Sequence, residues 1–107
     1  MHAKHQVGQV SEARVALHLS QRGWWVFAPI FAVAGPIDLI AVHPSVYIAL
    51  IDVKTETKRS LANRPGKYRI NRVLSPLQKR LQVFFAYASS DNITFVGCSD
   101  AVQELLH

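Results

Sequence analysis

Hydrophobic and polar positions follow two different rhythms along this chain. Over residues 7 to 22, VGQVSEARVALHLSQR, the spacing is helical. At about 100° per residue, Val10, Ala13, Val15, Ala16, Leu17 and Leu19 fill one broad arc. Ser11, Arg14, His18, Gln21 and Arg22 share a polar wedge. Gly23 follows directly, a residue that tolerates the positive φ at which helices end. Glu12 breaks the pattern, because it falls in the apolar arc with Gln9 and Ser20 and is expected to point inward.

The rhythm then changes. WWVFAP at 24 to 29 is aromatic and β-branched up to Pro29, which predicts a strand. FAVAG forms a connecting loop. IDLIAVH at 37 to 43 and SVYIALIDVKT at 45 to 55 predict two more strands, joined as a hairpin through His43, Pro44 and Ser45. The stretch from 57 to 72, TKRSLANRPGKYRINR, is polar and interrupted by Pro65 and Gly66, and it reads as a long loop. SPLQKRLQVFFAYA at 75 to 88 predicts a second helix: Ser75 as N-cap, Pro76 at the first helical position, and Gln78 completing a capping box. NITFVGC gives a last strand and SDAVQELLH a terminal helix capped by Ser99 or Asp100. The expected fold is α/β: one domain over residues 1–107, a mixed central sheet flanked by helices, in the order α-β-β-β-α-β-α.

Composition narrows the class. Half of the 107 residues are hydrophobic, enough for a core without disulfides or a structural metal. The single cysteine, Cys98, excludes an internal disulfide and reads as a packing residue. No run approaches the roughly 18 apolar residues of a membrane span, and MHAKHQVGQVSEA lacks the apolar centre of a secretion signal. A cytoplasmic protein with no membrane partner is therefore expected. The five histidines show no zinc-like spacing.

Charge is unevenly spread. The net charge is +5, and nine of the twelve cations lie between Lys54 and Arg80, where Glu56 is the sole acid. That predicts a polyanionic partner. Lys58, Arg59, Arg64, Lys67, Arg69, Arg72 and Lys79 are the residues expected to hold a nucleic-acid backbone, without reading sequence. Tyr68 is read as a packing residue. Glu12, Asp38 and Asp52, in contrast, fall in the apolar first half.

Side chains two apart on a strand share a face. Asp52 and Lys54 therefore project together, and the hairpin return brings Asp38 to the same end of the sheet. If the first helix packs on that face, Glu12 joins them. Carboxylates crowded in a half-buried site repel, and one takes up a proton unless a cation neutralises them. Mg²⁺ (or Mn²⁺) suits such a site, since it takes one or two carboxylates, waters and phosphate oxygens. The Val53 carbonyl is a further candidate ligand, and Lys54 is placed to orient water or stabilise a charged phosphate.

The series Gly8-x-x-x-Glu12, Gly23-Trp24, Pro36-Ile37-Asp38 and Asp52-Val53-Lys54 resembles the PD-(D/E)XK nuclease superfamily, and within it the archaeal-type Holliday junction resolvases. The resemblance runs from about residue 8 to residue 85. Here Ile37 separates the Pro from the Asp, and the third acid is Asp52 where resolvases commonly carry Glu. DVKT followed by LSPLQKRLQVFF is also similar to small phage-type nuclease modules, and intron-encoded homing endonucleases share the helical Glu and strand Lys. The resemblance implies a restriction-endonuclease-like core and Mg²⁺-dependent hydrolysis of DNA phosphodiesters. It implies metal at Glu12, Asp38 and Asp52, and a nucleophile or transition-state role for Lys54. It also implies a place for Gln78 near the metal, and a lesser one for Thr55. So small a domain covers little duplex, and paired cuts need two sites. A homodimer is therefore expected, through LQVFFAYA or the last strand, with Trp24, Trp25, Phe84 and Phe85 as core or dimer surface. Two rivals are a DNA-binding module without hydrolysis and an RNA-binding domain held by charge.

Overall fold

The computed structural model describes residues 3–31, 35–56, 58–60, 67–69 and 73–107, with side chains for 9–31, 35–56 and 73–107. Helix α1 (Ala3–Ser20) starts earlier than the apolar spacing predicts. Its end is a Schellman arrangement: Gly23 N–H donates to Ser20 O at 3.1 Å and Trp24 N–H to Leu19 O at 3.1 Å. Gly23 sits at φ +86°, where a side chain would be strained. The chain then enters β1 (Trp25–Phe27), β2 (Leu39–His43) and β3 (Tyr47–Thr55), three antiparallel strands close to the expected ones.

The second half departs from expectation. Helix α2 (Pro76–Leu81) has the expected capping box, but it stops after six residues at Gln82, in the left-handed region at φ 60°. Gln82 N–H donates to Lys79 O and Val83 N–H to Gln78 O, closing the helix as at Gly23. VFFAYA then continues as β6 (Phe84–Ala88), not as helix. The reason is tertiary. These five residues are all buried, flanked by parallel β3 on one side and antiparallel β7 (Ile93–Val96) on the other. A continuous apolar run of this length satisfies a central strand as well as a buried helix turn. Of LQVFFAYA, expected as a dimer surface, Val83 to Ala88 are interior, and Leu81 and Gln82 are exposed.

The basic stretch is not simply loop. Its described parts, β4 (Lys58–Ser60) and β5 (Lys67–Arg69), pair antiparallel as a separate two-stranded ribbon. The last helix, α3 (Asp100–Leu106), is capped by Ser99, whose hydroxyl accepts from Val102 N–H. The main sheet is five-stranded and mixed, in the order β1-β2-β3-β6-β7. With three helices beside it, the chain is an α/β protein.

One face of that sheet is the core. Leu39, Ala41, Ala49, Ile51, Val53, Phe84, Ala86, Ala88 and Phe95 pack there against Val15 and Leu19 of α1, Trp24, and Val102 and Leu106 of α3. The buried stripe of α1 is Ser11, Val15 and Leu19, spaced by four, while Val10 and Leu17 of the predicted apolar arc are exposed. Cys98 packs against the core from its margin, as expected of a packing residue. Phe84, 2% exposed, meets Phe95 edge-on at 6.2 Å. Phe84→Ala is expected to lower unfolding free energy by about 3–5 kcal/mol, read from the urea midpoint. A loss under ~1 kcal/mol would mean that this sheet face is not the core. No helix among the described residues is long and apolar enough to cross a membrane.

Candidate active site

The opposite face of the sheet carries the candidate site residues Asp38, Asp52 and Lys54. Because Leu39 pairs with Ile51, Asp38 stands across from Asp52 at the mouth of β2 and β3. Asp38 N–H donates to Ile51 O at 2.8 Å, which locks that register one residue before the strand begins. Asp38 Oδ2 accepts from Val53 N–H at 2.7 Å. The Asp52 carboxyl faces it across the two strands and favours its protonated form. Two acids at the open end of one hairpin therefore form one pair.

Asp52 is buried and has three neighbours on its two oxygens. Gln78 Nε2 donates to Oδ2 at 2.8 Å. Lys54 Nζ lies 3.6 Å from Oδ1, with the Lys54 side chain well exposed. Asp38 completes the set. Gln78, itself buried, uses every polar atom: Nε2 also donates to Pro36 O at 3.0 Å, and Oε1 accepts from Ser75 N–H at 3.0 Å. The capping-box role and the site role expected for Gln78 are thus held by one side chain at once. The Pro36 carbonyl is a partner that sequence patterns do not reveal.

Burial pushes the Asp38 carboxyl up to about 7, with the Asp52 hydrogen bond and the Asp52 and Glu12 charges adding to the rise and the Val53 N–H opposing it. Below that value the pair shares a proton on Asp38. Without metal, its folded-state affinity exceeds that of an unfolded aspartate, so the associated stability is complete below about pH 4 and is lost as pH rises through about 7. Asp38→Asn mimics the protonated form: it can accept from Val53 and donate to Asp52. In chelator, the variant is expected to melt close to wild type near pH ~4 and above it near pH ~8. Equal melting temperatures across that range would remove the paired-carboxylate reading.

Glu12 is placed differently from expectation. Helix α1 packs on the Ile51 and Val53 face, not on that of Asp52 and Lys54, because its buried stripe is Val15 and Leu19. Glu12 is half-buried, and its charge is felt at Asp38 across the end of β3. Among the described residues no three His, Cys, Asp or Glu side chains form a ready metal cluster. The close set is the two aspartates with Lys54 and Gln78.

Two contacts hold α1 at this height. The Ser11 and Thr55 hydroxyls meet at 2.7 Å, and the Arg14 guanidinium donates to Ser89 O. Thr55, two residues beyond Val53, shares the core face and anchors the helix. By sequence Ser11 falls in the polar wedge; the structure buries it in the same stripe as Val15 and Leu19.

Of the residues expected to hold a nucleic-acid backbone, Lys79 is exposed in the last turn of α2. Arg64 and Arg72 lie outside the described residues, as do the side chains of Lys58, Arg59, Lys67, Tyr68 and Arg69. Trp24 is core, its indole N–H donating to Leu105 O, and Phe84 and Phe85 are buried, while Trp25 is exposed. Compared with known proteins, the chain matches no family model, and no curated protein or solved structure is significantly similar.

Proposed function

We propose that this chain is a Mg²⁺-dependent endonuclease that hydrolyses DNA phosphodiester bonds, with a restriction-endonuclease-like core. The observation that carries the reading is the Asp38–Asp52 pair, with the Lys54 ammonium beside it on one strand face. The topology supports it: a three-stranded antiparallel meander, then α2 crossing to a strand parallel to β3, with α1 packed on the meander. The resemblance implies a sheet flanked by helices; the described order differs from the expected α-β-β-β-α-β-α by the β4–β5 ribbon before α2 and by two strands in place of one after it.

The donor set fits a hard divalent cation. Two acids share a half-buried mouth of the sheet with one ammonium, and Asp38 escapes the crowding only by holding a proton. Asp38 and Asp52 would hold Mg²⁺ (or Mn²⁺), with the Val53 carbonyl and Glu12 as further oxygen donors, and two carboxylates plus waters suffice for this ion. Bound there, the ion supplies Lewis-acid polarisation of a phosphate and a more acidic water. The chain's own groups do the rest. Lys54, anchored by Asp52, offers a cation to the phosphate oxygens as charge builds on them. Gln78 holds the Asp52 carboxylate and the Pro36 carbonyl in fixed relation, keeping both acid-bearing segments in place. Lys79 and the basic ribbon grip the phosphate backbone, so binding falls steeply with salt.

Structure-specific cleavage of the Holliday-junction type is the form favoured by the sequence resemblance. A homing or phage-type endonuclease of the same superfamily, and a non-catalytic DNA-binding module, are the alternatives. Paired cuts require two such sites, so the working unit is a homodimer. The test is a panel of labelled four-way junction, flap, nicked, duplex and single-stranded DNAs with Mg²⁺, using wild type and Lys54→Ala. Cleavage of one class by wild type alone supports the reading. Binding without cleavage throughout the panel, with Mg²⁺ or Mn²⁺, selects the non-catalytic module.

A further inference from the structure

The face that carries Asp38 and Asp52 continues toward the β2–β3 turn as two uncharged rows. The first is Phe27, Ile40 and Leu50, and the second Trp25, Val42 and Ile48, each set by the cross-strand register. Helices α1 and α3 lie on the other face. Both rows end in an aromatic ring on the edge strand β1, and both rings stand in water: Trp25 is 59% exposed and Phe27 57%. Two residues apart on one strand, they share a face at a spacing of about 7 Å. Along β3 the same face reads Ile48, Leu50, Asp52, Lys54: apolar, then acid, then cation.

We propose that Trp25 and Phe27 stack on unpaired bases of the DNA strand whose phosphodiester lies at Asp38 and Asp52. The inference rests on the nuclease reading above and names its substrate class: single-stranded or flapped DNA, with unpaired nucleotides beside the bond that is cut. Three observations choose this occupant. First, exposed rings on an open sheet face are the surface on which single strands stack two or three bases. Second, Trp25, Phe27, Ile40 and Ile48 leave roughly 400 Å² of side chain in water, half of the about 800 Å² per partner that a stable protein interface needs. That is too little for a second protein and enough for a few bases. Third, the cations are on the far side of the acid pair. Lys54 stands beyond Asp52 on this face, and Lys79 and Arg80 are exposed in the last turn of α2.

Phosphate-binding and base-binding groups thus flank the carboxylates on one surface. Ile40 and Leu50 lie two residues from Asp38 and Asp52 along β2 and β3, about 7 Å at strand rise. A strand that gives its phosphates to Lys54 and the acid pair lays its next nucleotides along the rows. An intact duplex has no such option, because its bases stack on one another and show only their edges in the grooves. The uncharged rows therefore reward unpaired nucleotides and offer a duplex nothing.

Equilibrium binding in chelator keeps the test apart from hydrolysis. Oligothymidylate is expected to quench the emission of wild type, in which Trp25 is exposed and Trp24 buried; this readout needs no variant to fold. Trp25→Leu and Phe27→Leu, each checked for retained fold by circular dichroism, are expected to weaken oligothymidylate binding about tenfold and to leave duplex binding unchanged. Trp25→Phe keeps a ring and should keep most of the affinity. Leucine variants that bind oligothymidylate as wild type does overturn the proposal, as does emission that the oligonucleotide leaves unquenched. A species of twice the 12.0 kDa chain mass, its emission shifted to the blue before DNA is added, would also overturn it and assign the rows to a second copy. Cleavage with Mg²⁺ is scored separately. Stacking without cleavage removes the hydrolysis and keeps this inference, whereas cleavage with silent leucine variants removes this inference and keeps the nuclease.

Discussion

Asp52→Asn is expected to leave the protein folded and able to bind DNA while lowering Mg²⁺-dependent cleavage by about a thousandfold or more. The substitution is nearly isosteric. Its amide oxygen can still accept from Gln78 Nε2, so the 2.8 Å tie between α2 and β3 survives. What disappears is the negative charge that faces Asp38 and anchors the Lys54 ammonium at 3.6 Å. On the proposed nuclease reading, removing a carboxylate from the surface that would receive phosphates also removes repulsion, so affinity for uncut DNA is expected to stay level or rise. Single-turnover cleavage and equilibrium binding, measured on the same preparation, separate the two effects. A variant that cuts at the wild-type rate would end the nuclease reading. A variant that loses binding and cutting together would show that Asp52 serves the fold and not the chemistry.

Gln78→Ala carries the second large effect, this time on stability. The truncation strips partners from three groups at once: Asp52 Oδ2, Pro36 O and Ser75 N–H. A buried polar group left unpaired costs about 1–3 kcal/mol, and the Ser75 N–H loss is half of the capping box. A total near 3 kcal/mol, or about 15 °C in melting temperature, is expected for a domain of this size. Gln78→Glu distinguishes the amide's two jobs. Its carboxyl can accept from Ser75 but meets Asp52 with like charge. The burden should be heavy near pH ~8 and relieved as pH falls and the new acid takes a proton. If Gln78→Ala melts within ~2 °C of wild type, the network across Ser75, Pro36 and Asp52 does not hold the site together.

How far the sequence foretells this arrangement depends on the range over which each residue is decided. Gly23, Ser75, Pro76 and Ser99 mark helix ends through bonds a few residues long, and each marks an end in the structure. The hairpin of β2 and β3 follows from two alternating runs and a short turn, and its two-residue period puts Asp52 and Lys54 on one face. Asp38 meeting Asp52 follows from the same hairpin, since the return path is short. In contrast, VFFAYA has no period of its own. Whether it coils or extends depends on β3 and β7 offering free edges on either side, which nothing local to residues 83 to 88 states. The buried face of α1 differs from the one its apolar spacing predicts for a related reason. Val10, Val15, Leu17 and Leu19 are equally apolar, and only contact with the sheet selects Val15 and Leu19 for the core.

The site divides along the same line. Local sequence chose the chemistry: two aspartates, a lysine and a capped glutamine, each carried by an element whose form short-range forces determine. Tertiary packing chose the geometry. It placed α1 behind the sheet, so that Glu12 acts on Asp38 through its charge. It turned the Gln78 amide toward both Asp52 and the Pro36 carbonyl, and it left one apolar quarter of the sheet in water. Backbone propensities and two-residue periods act over a few residues and are written in order along the chain, whereas burial is shared among segments dozens of residues apart and is settled only when they meet.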